Sequence, residues 1–90
     1  MKKVVITLNK VLINLFVPEI NEKYEVFLPL NKKIINVIDL LEKSINEMYD
    51  VDVIKESQRF LYDVNTGYKF SLNATVSECK IIDGLKLILC

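Results

Sequence analysis

Residues 24–48 read YEVFLPLNKKIINVIDLLEKSINEM, and a change of period inside this stretch decides the fold. Tyr24, Val26 and Leu28 alternate with Glu25 and Phe27, the two-residue repeat of a strand with one buried face. Pro29 has no N–H to give a ladder, so the strand is expected to end there. Asn31 reads as an N-cap. From Ile34 the apolar positions recur at steps of three and four through Val37, Ile38, Leu41, Ile45 and Met48, which predicts a helix with one greasy side. Lys32, Lys33, Asn36, Asp39, Glu42, Lys43, Asn46 and Glu47 occupy the other side. A strand running straight into such a helix requires a sheet for the helix to cover.

The remaining chain supplies that sheet. Residues 3–8 (KVVITL) and 11–17 (VLINLFV) both read as strand and are expected to form one long element irregular at Asn9-Lys10, so that residues 1–10 are either an extension or the start of the first strand. Residues 18–22 form a turn, and 24–28 return antiparallel as a hairpin. Residues 49–57 (YDVDVIKES) read as a connection with a short strand or turn. Residues 58–64 read as strand, Asn65-Thr66-Gly67 as a tight reversal, 68–72 as a short returning strand and 76–79 as one helical turn. Asp83-Gly84 turns the chain into a last strand over 85–89. The expected architecture is α+β, a β-grasp, with a mixed sheet of four to five strands, one main helix packed across one face, and the last strand beside the first.

Ninety residues with 51% apolar composition make one small globular domain over 1–90, large enough for one core. Twelve acidic residues balance twelve basic ones, which gives no reason for long-range attraction to nucleic acid or anionic membrane. Met1-Lys2-Lys3 followed by Val4–Leu8 looks like the charged start of a signal peptide. Asn9, Lys10 and Asn14 interrupt the apolar run, however, and no small-residue cleavage site follows. No run approaches the ~20 apolar residues of a membrane span. A reduced, cytoplasmic setting is therefore expected.

The order of elements and several residues resemble the ubiquitin-like superfamily. Gln58-Arg59-Phe60-Leu61-Tyr62 is similar to the third strand of ubiquitin, and Ile81 through Leu89 to its closing turn and last strand. A closer resemblance is to the YukD/EsaB-like small proteins of bacterial type VII (ESX/WXG100) secretion systems. It is carried by Tyr24-Glu25, Pro29, Ile34, Val37-Ile38 and Leu41, then Gly67, Asn73, Val76, Ile81, Asp83-Gly84 and Leu87, and covers residues 11–89. The resemblance implies a noncovalent, cytosolic accessory or regulatory component that contacts the secretion machinery. Ubiquitin and the related sulfur carriers act through a terminal Gly-Gly, whereas here no glycine follows Gly84 and the chain reads Leu87-Ile88-Leu89-Cys90. Conjugation by that route is not expected.

Catalytic chemistry has little to work with. Histidine is absent, which removes the usual general base and the commonest metal ligand. Cys79 and Cys90 lack a second pair for zinc, Asp50, Asp52 and Glu56 read as a solvated loop, and no phosphate-binding glycine loop is present. No enzyme activity, metal or cofactor is expected. Binding is the expected activity. Phe60 and Tyr62 are expected to face the helix, which turns Leu61 outward; Leu85, Leu87 and Leu89 face inward, which leaves Lys86 and Ile88 outward. Leu61 and Ile88 take the positions that, by the resemblance, carry ubiquitin's apolar recognition patch, with Arg59 and Lys86 bordering them and Tyr68 and Phe70 extending the surface unless one of these two is core. Two competing uses remain open: a homodimer contact on this face, and a carrier function of the Cys90 thiol. A ubiquitin-like adaptor unrelated to secretion is a third.

Overall fold

The computed structural model describes residues 9–49, 54 and 57–90. Alternation in VLINLFV buries Val11, Ile13, Leu15 and Val17 and turns Leu12, Asn14 and Phe16 to the opposite face of β1 (Lys10–Val17). A 3₁₀ turn over Pro18–Ile20 and Asn21 in the left-handed region (φ 53°) reverse the chain. Asparagine tolerates that conformation better than most residues. β2 (Glu22–Pro29) then pairs antiparallel with β1, from Val17 opposite Glu22 to Lys10 opposite Pro29. The strand ends at the proline, as the missing donor dictates. The expected continuation of the first strand through residues 3–8 lies outside the described residues.

Helix α1 (Ile34–Tyr49) buries Ile34, Val37, Ile38, Leu41 and Ile45, each contributing about 1.5–3 kcal/mol of transfer free energy. Two expectations about it fail. Asn31 is not the cap, because the helix starts at Ile34. There the free N–H groups of Ile34 and Ile35 donate to the carbonyls of Ala74 (2.9 Å) and Leu72 (3.1 Å). Tertiary carbonyls do what a side-chain cap would otherwise do. Met48 is 60% exposed rather than core. A 16-residue helix is ~24 Å long, and its buried stripe stops at Ile45, one turn before its end.

The connection after α1 is anchored at Ile54, which is 4% exposed. The Asn46 side chain, expected on the solvated side of the helix, is half-buried and grips the Ile54 backbone from both sides: Ile54 N–H donates to Asn46 Oδ1 (2.9 Å), and Asn46 Nδ2 donates to Ile54 C=O (3.4 Å). The expected acidic run of Asp50, Asp52 and Glu56 lies outside the described residues.

β3 (Leu61–Asp63) and β4 (Lys86–Leu89) complete a four-stranded mixed sheet in the order β2-β1-β4-β3. β4 runs parallel to β1, with Leu15 beside Leu87, and β3 runs antiparallel to β4. This is the ubiquitin-like β-grasp, with the last strand beside the first. Asp63 Oδ1 accepts the N–H groups of Asn65 and Thr66, and Gly67 at φ 75° closes the reversal. The strand expected over 68–72 reduces to an isolated bridge between Tyr62 and Lys69. Residues 75–80 make the expected helical turn, entered through a reciprocal capping box: Thr75 N–H donates to Glu78 Oε1 (2.8 Å) and Glu78 N–H to Thr75 Oγ1 (3.1 Å). The Thr75 N–H, and after it the Thr75 hydroxyl, hold the Glu78 carboxyl below its ordinary value. Gly84 (φ 84°) donates to Leu12 C=O and Asp83 Oδ1 accepts from Leu12 N–H, both at 2.8 Å, which docks the last turn onto β1.

The inward face of 59–62 is the reverse of the expected one. Leu61 is fully buried and Arg59 is 3% exposed, while Phe60 and Tyr62 stand half-buried on the other face. Charge compensation makes this possible. Arg59 Nη1 donates to Glu42 Oε2 on α1 (2.8 Å), and Arg59 Nε donates to Glu19 Oε1 in the hairpin turn (3.2 Å). Burial works against the guanidinium charge, but the hydrogen bonds and fields of the two carboxylates outweigh it and raise the pKa above its ordinary value.

Two predictions follow from this packing. Glu19→Ala/Glu42→Ala strands a buried cation and is expected to cost about 3–5 kcal/mol in urea denaturation, whereas Arg59→Met, which leaves two carboxylates able to reach water, stays within about 1–2 kcal/mol of wild type. The reverse order of costs would refute this account of the triad. Tyr24, whose hydroxyl lies 3.3 Å from that of Tyr49, has its pKa pushed up to about 12 by burial and then by that hydrogen bond. The folded state thus holds the neutral phenol. Its contribution to stability is complete below the unfolded value near ~10 and is lost as pH climbs towards 12. Alkaline absorbance titration should show a late phenolate step that Tyr24→Phe deletes.

Candidate protein-binding surface

The sheet face opposite α1 is built by the same alternation that builds the core. Cross-strand partners share a face, so the register can be read directly across the sheet. Lys23 lies opposite Phe16, Phe16 beside Ile88, Ile88 opposite Tyr62, and Tyr62 opposite Lys69. The result is one continuous row, Lys23–Phe16–Ile88–Tyr62–Lys69, with three half-buried apolar side chains between two exposed lysines. A second row beside it runs Glu25–Asn14–Lys86. A shallow depression lies over this region, lined by Asn14, Phe16, Lys23, Glu25, Lys86 and Ile88 among others. Phe60 extends the apolar surface. It exchanges both backbone hydrogen bonds with Cys90 (2.8 and 3.1 Å), which sets Cys90 opposite it at the end of the sheet.

Two lysines lie over aromatic rings. Lys23 Nζ is 5.9 Å from the Phe16 ring centroid, and Lys69 Nζ is 4.2 Å from that of Phe60. At these distances the ring quadrupole attracts the ammonium.

Of the expected site residues, Lys86 and Ile88 stand on this face. Leu61 and Arg59 do not, because the buried Arg59 triad places both on the core side. Tyr68, 60% exposed, packs edge-on against buried Phe70 (5.3 Å, 77°) and lines a separate depression with Asp63, Thr66 and Cys79. Alternation from the Tyr62–Lys69 bridge turns Lys69, not Tyr68, toward the open face. Phe16 was readable from the apolar spacing of residues 11–17, since every second position there is core. Tyr62 and Lys69 were not, because their orientation depends on where Arg59 goes.

Both cysteines are free. Cys79 is half-buried, and burial followed by the nearby Glu78 charge raises its thiol pKa, which disfavours the nucleophilic thiolate; Cys90 is exposed. No group of three or more metal-ligating side chains occurs among the described residues, and no described helix is long and apolar enough to cross a membrane.

Neither a protein-family model nor a curated protein matches the chain. Solved structures do. The chain is similar to the ubiquitin-like domain of EccD5 from Mycobacterium xenopi, with a TM-score of 0.72 and 21% identity over 90% of this chain and 92% of that one. It is also similar to a chain of the MycP5-free ESX-5 inner membrane complex, with a TM-score of 0.74 and 17% identity over 91% of this chain. There it spans only 21% of the larger protein. A chain of the toluene 4-monooxygenase HD complex matches as well, with a TM-score of 0.72 and 10% identity over 89% of this chain and 95% of that one. These likenesses establish the ubiquitin-like fold. Since the same fold serves a secretion complex and a monooxygenase complex, function has to be argued from the surface.

The corrected register gives a direct test. Leu61→Asp is expected to unfold the domain, and Leu61→Ala to cost about 2–5 kcal/mol. Ile88→Asp is expected to leave the circular dichroism spectrum unchanged. If the two aspartate variants behaved in the opposite sense, the original orientation of residues 59–62 would be reinstated.

Proposed function

We propose that this chain is a noncovalent protein-binding ubiquitin-like module on the cytosolic side of a type VII secretion system. In this reading it is an accessory or regulatory component that docks on the secretion machinery through the open sheet face around Phe16, Ile88 and Tyr62. The observation that carries the reading is the continuous, half-buried apolar row on that face. A row of three adjacent apolar side chains spanning three strands is a surface with something to bury, unlike single exposed apolar residues, which are ordinary.

The type VII setting is supported by two observations. The structural likeness to an EccD5 ubiquitin-like domain covers nearly the whole of both chains. The residue-level resemblance to the YukD/EsaB-like proteins runs through the same turns and core positions. Residues 86–90 are engaged in β4 and in the backbone pairing of Cys90 to Phe60, which makes them part of the sheet that carries the surface.

The test is a photo-cross-linking side chain placed at position 88 in the native host. An adduct with a subunit of a type VII apparatus, lost when Phe16→Asp is added, is the expected result. Adducts only with proteins outside such an apparatus would defeat the secretion setting. Adducts only with a second copy of this chain would make the face a homodimer contact.

A further inference from the structure

The open face is charged as well as apolar, and its charge is one-sided. By strand alternation it carries Lys10, Lys23, Lys69 and Lys86 against one free-standing carboxylate, Glu25, in a chain whose acids and bases balance overall. Asp83, at the end of the sheet, is held by the Leu12 N–H. Ion pairs among the described residues involve Lys43 and Arg59 as the cations, so none of these four lysines is neutralised within the described part of the chain. A positive field above an apolar strip is left for a partner to complement.

The register sets the spacing of that complement. Ile88 sits at the centre of the row, with Lys23 two strands away on one side and Lys69 two steps away on the other. Four inter-strand steps put ~19 Å between the ends, the length of roughly six residues of extended chain. Lys86 lies in the neighbouring row, beside Asn14 and Glu25.

Lysines and aromatic rings on an open sheet could also describe a nucleic-acid platform, but Lys69 lies over the Phe60 ring, where a base would have to stack, and Phe16 and Tyr62 are half-buried. The chain's one arginine, Arg59, is buried on the opposite face. Resting on the protein-binding reading above, we infer that the open face takes an acidic segment of a partner protein. An apolar side chain of that segment seats on Phe16, Ile88 and Tyr62, and carboxylates on either side of it reach Lys23 and Lys69.

The test uses the full chain and three sets of short fluorescent peptides. Each has an apolar centre and is flanked at that spacing by Glu, by Gln or by Lys; binding is followed by fluorescence anisotropy, with a uridine oligonucleotide alongside. The Glu-flanked peptide is expected to bind roughly tenfold more tightly than its Gln counterpart at low ionic strength, with the gap narrowing as salt is added. Lys23→Glu/Lys69→Glu, shown folded by circular dichroism, is expected to reverse the preference toward the Lys-flanked peptide. Equal binding of the Glu and Gln peptides, binding of none, or an unreversed preference would overturn the inference. So would an oligonucleotide that binds more tightly than the Glu-flanked peptide. The two readings fail separately. Charge-dependent peptide binding with position-88 adducts outside any secretion apparatus removes the setting alone. An apparatus subunit captured equally well by the charge-reversed variant removes the acidic partner alone.

Discussion

A guanidinium buried at 3% exposure governs the two faces of this sheet. Desolvating a cation is tolerable only when opposite charge and hydrogen bonds are already in place, and Glu19 and Glu42 supply both. These carboxylates come from the β1–β2 turn and from the middle of α1, so one side chain joins three parts of the chain. Its position also fixes parity. With Arg59 inward, Leu61 must follow it, and Phe60 and Tyr62 must face away. The apolar row on the open face is in this sense a by-product of how one charge is stored on the other.

That dependence explains why the fold was more legible in the sequence than the surface was. Helix α1, the β1–β2 hairpin and the inward set of β4 follow from local periodicity, and a period is visible without knowing what it packs against. Gly67 and Gly84 marked turns because their positive φ is a local requirement. The parity of residues 59–62 is a different kind of fact. A charged residue is ordinarily assigned to solvent, and the carboxylates that overrule this lie 40 and 17 residues away. The start of α1 was misplaced for the same reason, since the carbonyls of Leu72 and Ala74 that receive its first N–H groups arrive from a distant segment. The Asn46 clamp on Ile54 is likewise invisible to a helical wheel. By contrast, the capping box at Thr75 and Glu78 was written plainly as T-V-S-E and could have been read.

The fold narrows the chemistry without naming it. Matches to a secretion complex and to a monooxygenase complex show that the helix-on-sheet scaffold is indifferent to its employment. What this chain offers a partner is the cross-strand order on the exposed side of the sheet, with lysines outside and apolar side chains within. Burial and the Glu78 charge push the half-buried Cys79 thiol toward its protonated form.

The parallel pairing of β4 with β1 has a consequence for how the molecule comes into being. Leu12 is tied to Asp83 across a separation of 71 residues, and β4 fills the sheet between β1 and β3. Until residues 83–89 are available, β1 has a partner on one edge only and β3 has only its bridge to Lys69. The inward side chains of Ile13, Leu15 and Leu61 then lack Leu87 and Leu89 to close over them. During synthesis the core must therefore wait until residues 83–89 have left the ribosome. The hairpin and helix can form early, but they meanwhile present a hydrophobic strand edge to solvent. A domain this small avoids prolonged exposure by being short, and the penalty would grow with any insertion that delayed its last strand.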